Sequence, residues 1–293
     1  MINRQKRKLL VPFLAPALLL YGGFFLYPAA KTFYVALTSW QGVTTHMSFV
    51  GLDNFRALAN DAVFRGTVAN TFKFAILGAI LLFPLSLFLA YATSEKLFGA
   101  RTFRFIILAP VALSVATAAL LWKFILNPNF GLLNGLLGAI GLHTLEKPWL
   151  GMTSTAMPAV VIATVWHGVG IWMIFFAAAI TRVPVELKEA ARIDGASSFA
   201  IFRHIVFPLI WDVMRILLVL WVIGALQAFA FIWAMTQGGP FNSTNVFGSY
   251  LYEVAFQESR WGYAAAIAVV MFFLILALTL FVTRLTRREA VEY

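Results

Sequence analysis

The chain has 293 residues, 61% hydrophobic and only 12% charged, where an ordinary soluble domain carries about 25% charged residues. That excludes a soluble enzyme and a disordered chain; uncharged stretches of about 20 residues, the length of one bilayer crossing, recur along almost the whole sequence. The 22 Lys and Arg against 12 Asp and Glu give a formal charge of +10, but they lie in short flanks between apolar runs, so they read as topology determinants beside anionic lipid, with no nucleic-acid partner.

Arg4, Lys6, Arg7 and Lys8 precede an uncharged stretch from Leu9 to Ala30. It exceeds a signal-peptide core of about 7–15 residues and is expected to be an uncleaved first span. Further uncharged runs lie at Phe74 to Ser94, Phe105 to Trp122, Pro148 to Thr181, Ile216 to Met235 and Gly262 to Thr283. Each is about one crossing long, except that the fourth is expected to begin as a loop through about Ala156. The fold class is therefore an all-α polytopic membrane protein of six transmembrane helices in one domain covering residues 1–293. Pro84 and Pro110, inside the second and third spans, each remove a backbone donor and predict kinks.

Orientation follows from the distribution of Lys and Arg. Arg4, Lys6, Arg7, Lys8, Lys96, Arg101, Arg104, Arg182, Lys188, Arg192, Arg203, Arg215, Arg284, Arg287 and Arg288 fall on one side, fifteen in all. Lys31, Arg56, Arg65, Lys73, Lys123, Lys147 and Arg260 fall on the other, seven in all. Both termini are thus expected in the cytoplasm, with external segments near 38–67, 127–156 and 236–262 and a long cytoplasmic loop at 182–208.

The familiar catalytic patterns are missing. There is no Gly-Lys pair and so no phosphate-binding P-loop, no H-E-x-x-H, no G-x-S-x-G and no cysteine; His46, His143, His167 and His204 are too scattered for a metal cluster. No span carries an Asp or Glu near its centre, where ion-coupled carriers often place ionisable groups. The chain reads as a non-enzyme with no cofactor of its own, and any ATP is bound by another chain.

The long cytoplasmic loop encodes two short helices. Pro184 suits a first helical position and Glu186 and Glu189 lie in early turns, where the helix dipole favours carboxylates. Gly195 ends that helix, Ser197 or Ser198 caps the next, and Phe199, Phe202, Ile205 and Val206 form an apolar stripe at helical spacing. Ala190, Ala191, Gly195 and Ala196 leave little side-chain bulk between the helices, which suits a knob docking into a groove.

Glu189, Ala190, Ala191 and Gly195, followed by Ile205 and Pro208, resemble the E-A-A-x-x-x-G signature of permease subunits of binding-protein-dependent ATP-binding cassette importers. Asp194-Gly195-Ala196 and Thr236-Gln237-Gly238-Gly239-Pro240 resemble the carbohydrate branch, the maltose and glycerol-3-phosphate type permeases. So do Leu14-Ala15-Pro16, Tyr27-Pro28, Phe49-Val50-Gly51-Leu52-Asp53-Asn54-Phe55, Asn127-Pro128 with Gly131 and Asn134, and Gly262-Tyr263-Ala264. The resemblance covers essentially the whole chain. It implies a type I importer transmembrane domain in the bacterial or archaeal inner membrane, carrying a sugar or sugar derivative. Its implied partners are a homologous second permease, an ATPase dimer holding ATP and Mg, and an extracytoplasmic solute-binding protein. Glu189, Ala190, Ala191, Asp194, Gly195 and Ala196 would then form the coupling helix, with Glu189 facing a basic ATPase residue. A stand-alone secondary carrier or channel is the alternative.

Sugars are held by aromatic faces and neutral hydrogen-bonding groups. Trp166, His167, Gly168 and Ile171 lie about 20 residues before Glu189, near mid-membrane at 1.5 Å per residue. Trp221, Gly224, Ala225, Gln227 and Ala228 lie at comparable depth in the fifth span, and Val111, Ser114 and Val115 follow Pro110 in the third. In the family the matching portions line the substrate pathway, so these residues are the expected cavity set. By residue type alone, Trp166, Trp172 and Trp221 fit helix packing better. His167 fits equally a core histidine bonded to a backbone carbonyl or a ligand contact, and Gln227 favours the cavity because an amide facing lipid would be unsatisfied. The Thr236–Phe241 segment is expected beside the binding-protein dock, with turn chemistry an equal explanation of its glycines and proline.

Overall fold

A computed structural model describes residues 4–42, 47–94 and 99–287, with side chains from Pro12 onward. His46, Lys96, Arg288 and the side chains of Arg4, Lys6, Arg7 and Lys8 lie outside the described residues. In chain order the helices are α1 (Pro12–Val35), α2 (Asp53–Asn60), α3 (Ala62–Ser94), α4 (Ala100–Leu108), α5 (Val115–Ile125), α6 (Leu132–Ala139), α7 (Ala156–Thr181) and α8 (Val185–Ile193). Then come α9 (Ser198–Leu209), α10 (Trp211–Leu226), α11 (Ala230–Thr236), α12 (Phe247–Tyr252) and α13 (Trp261–Leu285). Among the described residues there is no strand, only one antiparallel bridge between Thr38 and Phe49.

Four helices, α1, α3, α7 and α13, are each long and apolar enough to cross a membrane, and two bent pairs complete the six expected spans if each pair is one crossing. The third span is α4 with its 3-10 extension to Ala112, followed by α5 at a bend of 99°. The interruption falls just after Pro110, as that residue predicts. Pro84, by contrast, lies inside the unbroken α3. The fifth span departs from its expected continuous run: α9 meets α10 at 70°, and α10 itself stops at Leu226, leaving Gln227–Phe229 non-helical before α11. The fourth helix begins at Ala156, the boundary expected from the sequence.

Contacts gather the chain into two compact units. In the first (Met1–Ala62 with Leu251–Phe273), Asn54 donates to the carbonyls of Ala36 and Thr38, and the Tyr263 hydroxyl donates to Asp61. In the second (Val63–Tyr250 with Leu274–Tyr293), a continuous apolar core runs along α3, α7 and α10 through Phe74, Leu82, Met173, Phe176 and Leu217. Gly170 lets α7 approach the α4 backbone, since a Cβ there would sit 2.7 Å from the Ile107 carbonyl oxygen.

Helix α3 sets the length of this second unit. Near its start the Asn70 amide donates to the Asn242 carbonyl, and near its end the Tyr91 hydroxyl donates to the Ser198 carbonyl. Asn70 and Tyr91 are roughly 31 Å apart at 1.5 Å per residue, which matches the hydrocarbon thickness of a bilayer. The α8–α9 segment and the loop after α11 are therefore held at opposite ends of one membrane-long helix.

The close approach at Gly170 makes a substitution test. Gly170→Leu is expected to destabilise the chain by about 2–3 kcal/mol through overpacking against backbone, read as a lower thermal unfolding midpoint in detergent, whereas Gly224→Ala, where no atom lies within 4 Å of an added Cβ, should leave the midpoint unchanged.

Candidate functional site

Two regions gather the residues singled out in the sequence. The first is the α8–α9 knob. Pro184 precedes α8, Glu186 lies in its first turn, and Asp194 is the C-cap. Gly195 follows with φ +82°, a left-handed conformation that glycine alone adopts freely. Its N–H donates to the Arg192 carbonyl and that of Ala196 to the Ala191 carbonyl, the paired 5→2 and 6→1 bonds of a Schellman ending. Ser197 then caps α9 by accepting from the Ala200 N–H at 3.2 Å. Two helix ends are thus capped within four residues, which fixes the path of the turn. Glu189, Ala190, Asp194 and Gly195 are exposed; Ala191 and Ala196 pack against the core beneath. The apolar stripe of α9 turns inward except at its first residue. Ile201 and Val206 are buried, Phe202 and Ile205 half-buried, and Phe199 is 69% exposed.

The second region lies where the third and fifth spans break against α7. Leu113 is extended between the 3-10 turn and α5, leaving its carbonyl without a helical partner. His167 Nε2 lies 3.0 Å from that oxygen, and a ring N–H must donate, since a carbonyl only accepts. The other side of the break is closed by Ser114, whose Oγ accepts from the Thr117 N–H at 3.2 Å and pairs with the Thr117 hydroxyl at 2.8 Å. The Phe231 ring, in α11 just past the second break, stands edge-on to the imidazole at 5.4 Å. One histidine in the middle of α7 therefore touches both interruptions.

The expected cavity set divides on inspection. Ser114, Ile171, Gly224 and Gln227 are exposed around the breaks, and Val111, Val115, Trp166, His167, Gly168 and Ala228 are half-buried. Trp221 and Ala225 are the exceptions. Trp221 is 8% exposed: its indole N–H donates to the Ala75 carbonyl at 2.9 Å, its ring stacks on Phe74 at 6.3 Å, and it fills the notch at Gly78. Ala225 is buried in the same core. Both belong to the interior of the chain because α10 turns that face toward α3. Trp166 packs edge-on to Trp122 at 5.8 Å, a packing role that its residue type favoured. Leu113, Thr117 and Phe231 were not singled out from the sequence. The Ser114-x-x-Thr117 spacing after Pro110 is a helix-cap signal that marks where α5 restarts.

Four membrane-length helices and two bent pairs make up to six apolar spans, and interrupted spans are a recurrent feature of membrane transporters. Comparison with known proteins gives the same class. Residues 82–291 match the family of binding-protein-dependent transport system inner membrane components, and the chain belongs to that family. It is 36% identical over 285 residues to the probable ABC transporter permease YurN of Bacillus subtilis, covering 96% of each chain. It is 35% identical to the diacetylchitobiose uptake system permease NgcF of Streptomyces coelicolor, covering 94% of this chain and 82% of that one. The fold matches that in a bacterial alginate ABC transporter structure with TM-score 0.86 at 24% identity, over 98% and 96% of the two chains. Such proteins are membrane transport components rather than enzymes.

Removing the donor at the first break should expose its importance. His167→Leu is expected to cost about 1–3 kcal/mol by stranding the Leu113 carbonyl, measured by thermal unfolding in detergent, while His167→Gln, which keeps an N–H, should recover at least half of that loss.

Proposed function

We propose that this chain is one permease half of a sugar importer driven by ATP, and that the rigid knob at α8–α9 is its coupling element. The observation that carries the reading is the doubly capped turn, which presents exposed Glu189, Ala190, Asp194 and Gly195 on a base packed into the core. In this reading α8 faces the cytoplasm with both termini, and residues 1–293 act as one transmembrane domain. Glu189 pairs with a basic residue of an ATPase subunit, an interfacial charge contact that fixes register more than affinity. ATP and Mg are bound by two copies of that ATPase, a second homologous permease completes the pathway, and a solute-binding protein delivers cargo on the opposite face.

ATP-driven closure moves the knob as a rigid body, and the motion passes directly into α7 and α10, which flank it in the chain. The pathway then opens alternately to either side of the paired breaks. Ser114, His167, Gly224 and Gln227 offer neutral hydrogen-bonding groups and open space, with Val111, Val115, Trp166, Gly168, Ile171 and Ala228 as apolar lining, a combination suited to an uncharged sugar. The neighbouring relatives' names, including a diacetylchitobiose uptake permease and a glycerol-3-phosphate permease, support a carbohydrate-type cargo.

The complex co-purified on this tagged chain, in lipid nanodiscs with its co-encoded binding protein, is expected to hydrolyse ATP faster with one member of a panel of sugars and glycerol phosphates. Glu189→Ala and Gly195→Asp should each lower that stimulation about tenfold, the loss of one charge-assisted contact or of the left-handed turn. Absence of any co-purifying ATPase would contradict the proposal and return the chain to the secondary-carrier reading.

A further inference from the structure

The first compact unit carries an apolar groove of its own. It lies among the end of α1, segment 251–256 and the start of α13, and has a volume of about 410 Å³, within the range of small-ligand sites. Small side chains create it. Ala264, Ala265 and Ala268 are its α13 lining. One turn further along α13, Phe272 and Phe273 stand edge-on to the Phe33 ring of α1 at 5.7 and 6.1 Å. Where those rings meet, the two helices are bridged; beside the alanines the space between them stays open.

The groove has a charged group and an aromatic cluster. Lys31 is the only charged residue among those that line it, and it has no ion pair among the described residues. The other charges described in this unit are engaged elsewhere: Arg56 pairs with Asp53 at 2.9 Å, Arg260 with Glu258 at 3.1 Å, and Asp61 accepts from the Tyr263 hydroxyl. Glu253 is half-buried and does not line the groove. Thr32 spends its hydroxyl on the Pro28 carbonyl at 2.9 Å. The Trp40 and Trp261 rings lie 5.7 Å apart, and Phe256 stands edge-on to Trp261 at 4.8 Å. Because α1 ends at Val35 and α13 begins at Trp261, the cation and both indoles lie at span ends, the level of lipid headgroups. Trp261 and Ala268 are roughly 10 Å apart along α13 at 1.5 Å per residue, so the apolar part extends toward the hydrocarbon.

We propose that this groove binds one anionic membrane phospholipid, with its phosphate on Lys31 beside the Trp40 and Trp261 rings and an acyl chain along Ala264, Ala265 and Ala268. The occupant follows from charge and depth. A cationic ligand is repelled by Lys31, and an apolar peptide segment leaves its ammonium unpaired. A phospholipid supplies an anion at the snorkelling lysine and an apolar chain at the alanines. The attraction of one lysine for anionic lipid corresponds to about fivefold in affinity. The proposal needs only that the chain spans a membrane and stands apart from the importer reading.

The test uses the complex purified on this tagged chain in mild detergent, with bound lipid counted by native mass spectrometry in mixtures of phosphatidylglycerol and phosphatidylcholine. Wild type is expected to retain one phosphatidylglycerol in preference to phosphatidylcholine. Lys31→Gln should lower that retention about fivefold, and Lys31→Arg should keep it within about twofold. Ala268→Phe, which fills the apolar part and changes no charge, should abolish it. Equal retention of the two lipids by wild type, or unchanged retention in either Lys31→Gln or Ala268→Phe, overturns the site. A second arm places a photoreactive phenylalanine analogue at position 256 in intact membranes. Capture of a phospholipid is expected; capture of a protein subunit in its place assigns the groove to a protein contact and overturns the proposal.

Discussion

A backbone carbonyl left without a donor inside a bilayer costs several kcal/mol, and the central part of this structure is organised around meeting that cost at two helix breaks. The third span cannot stay helical past Pro110, and its restart at Ser114 leaves the Leu113 carbonyl stranded. His167 supplies the missing donor from the middle of α7. The hydroxyls of Ser114 and Thr117 close the other side. At the second break the Gln227 N–H still reaches the Ile223 carbonyl, while its side chain remains exposed. The polar groups that satisfy these breaks are thereby gathered around the middle of α7.

The same logic, applied at the end of α7, produces a capped turn rather than a helix break. Helix termini leave unpaired donors and acceptors, and between Ile193 and Ser198 the chain pairs them with its own backbone and with the Ser197 hydroxyl. The exposed face carries the small Ala190 and Gly195 beside the carboxylates of Glu189 and Asp194. Helix α7 thus carries His167 at its middle and this knob just beyond its end.

Much of this was legible in the sequence. Long uncharged runs identify the spans because the bilayer demands them, and Gly195 with Ser197 announces the knob because only those residue types cap helices cheaply. The breaks were half-legible. Pro110 signals the first, but nothing at Gln227–Phe229 carries a Gly or Pro signal, so the fifth span read as continuous. Side-chain facing was least legible. In a helix that is apolar all round, periodicity does not separate core, lipid and cavity, which is why Ala225 looked like lining and is core, while Trp221 is core as its residue type favoured. Phe199, one end of the apolar stripe, stands exposed while Ile201 takes an inward position.

The absence of cysteine from the chain makes the most direct measurement simple. In the assembled importer, single substitutions Ser114→Cys and Gln227→Cys are expected to react with a small water-soluble thiol reagent and to be protected by the transported sugar, while Leu280→Cys, on the exposed apolar face of α13, stays unreacted. Failure of both break positions to react, or reaction at an equal rate with and without cargo, would contradict the claim that the paired breaks line the pathway.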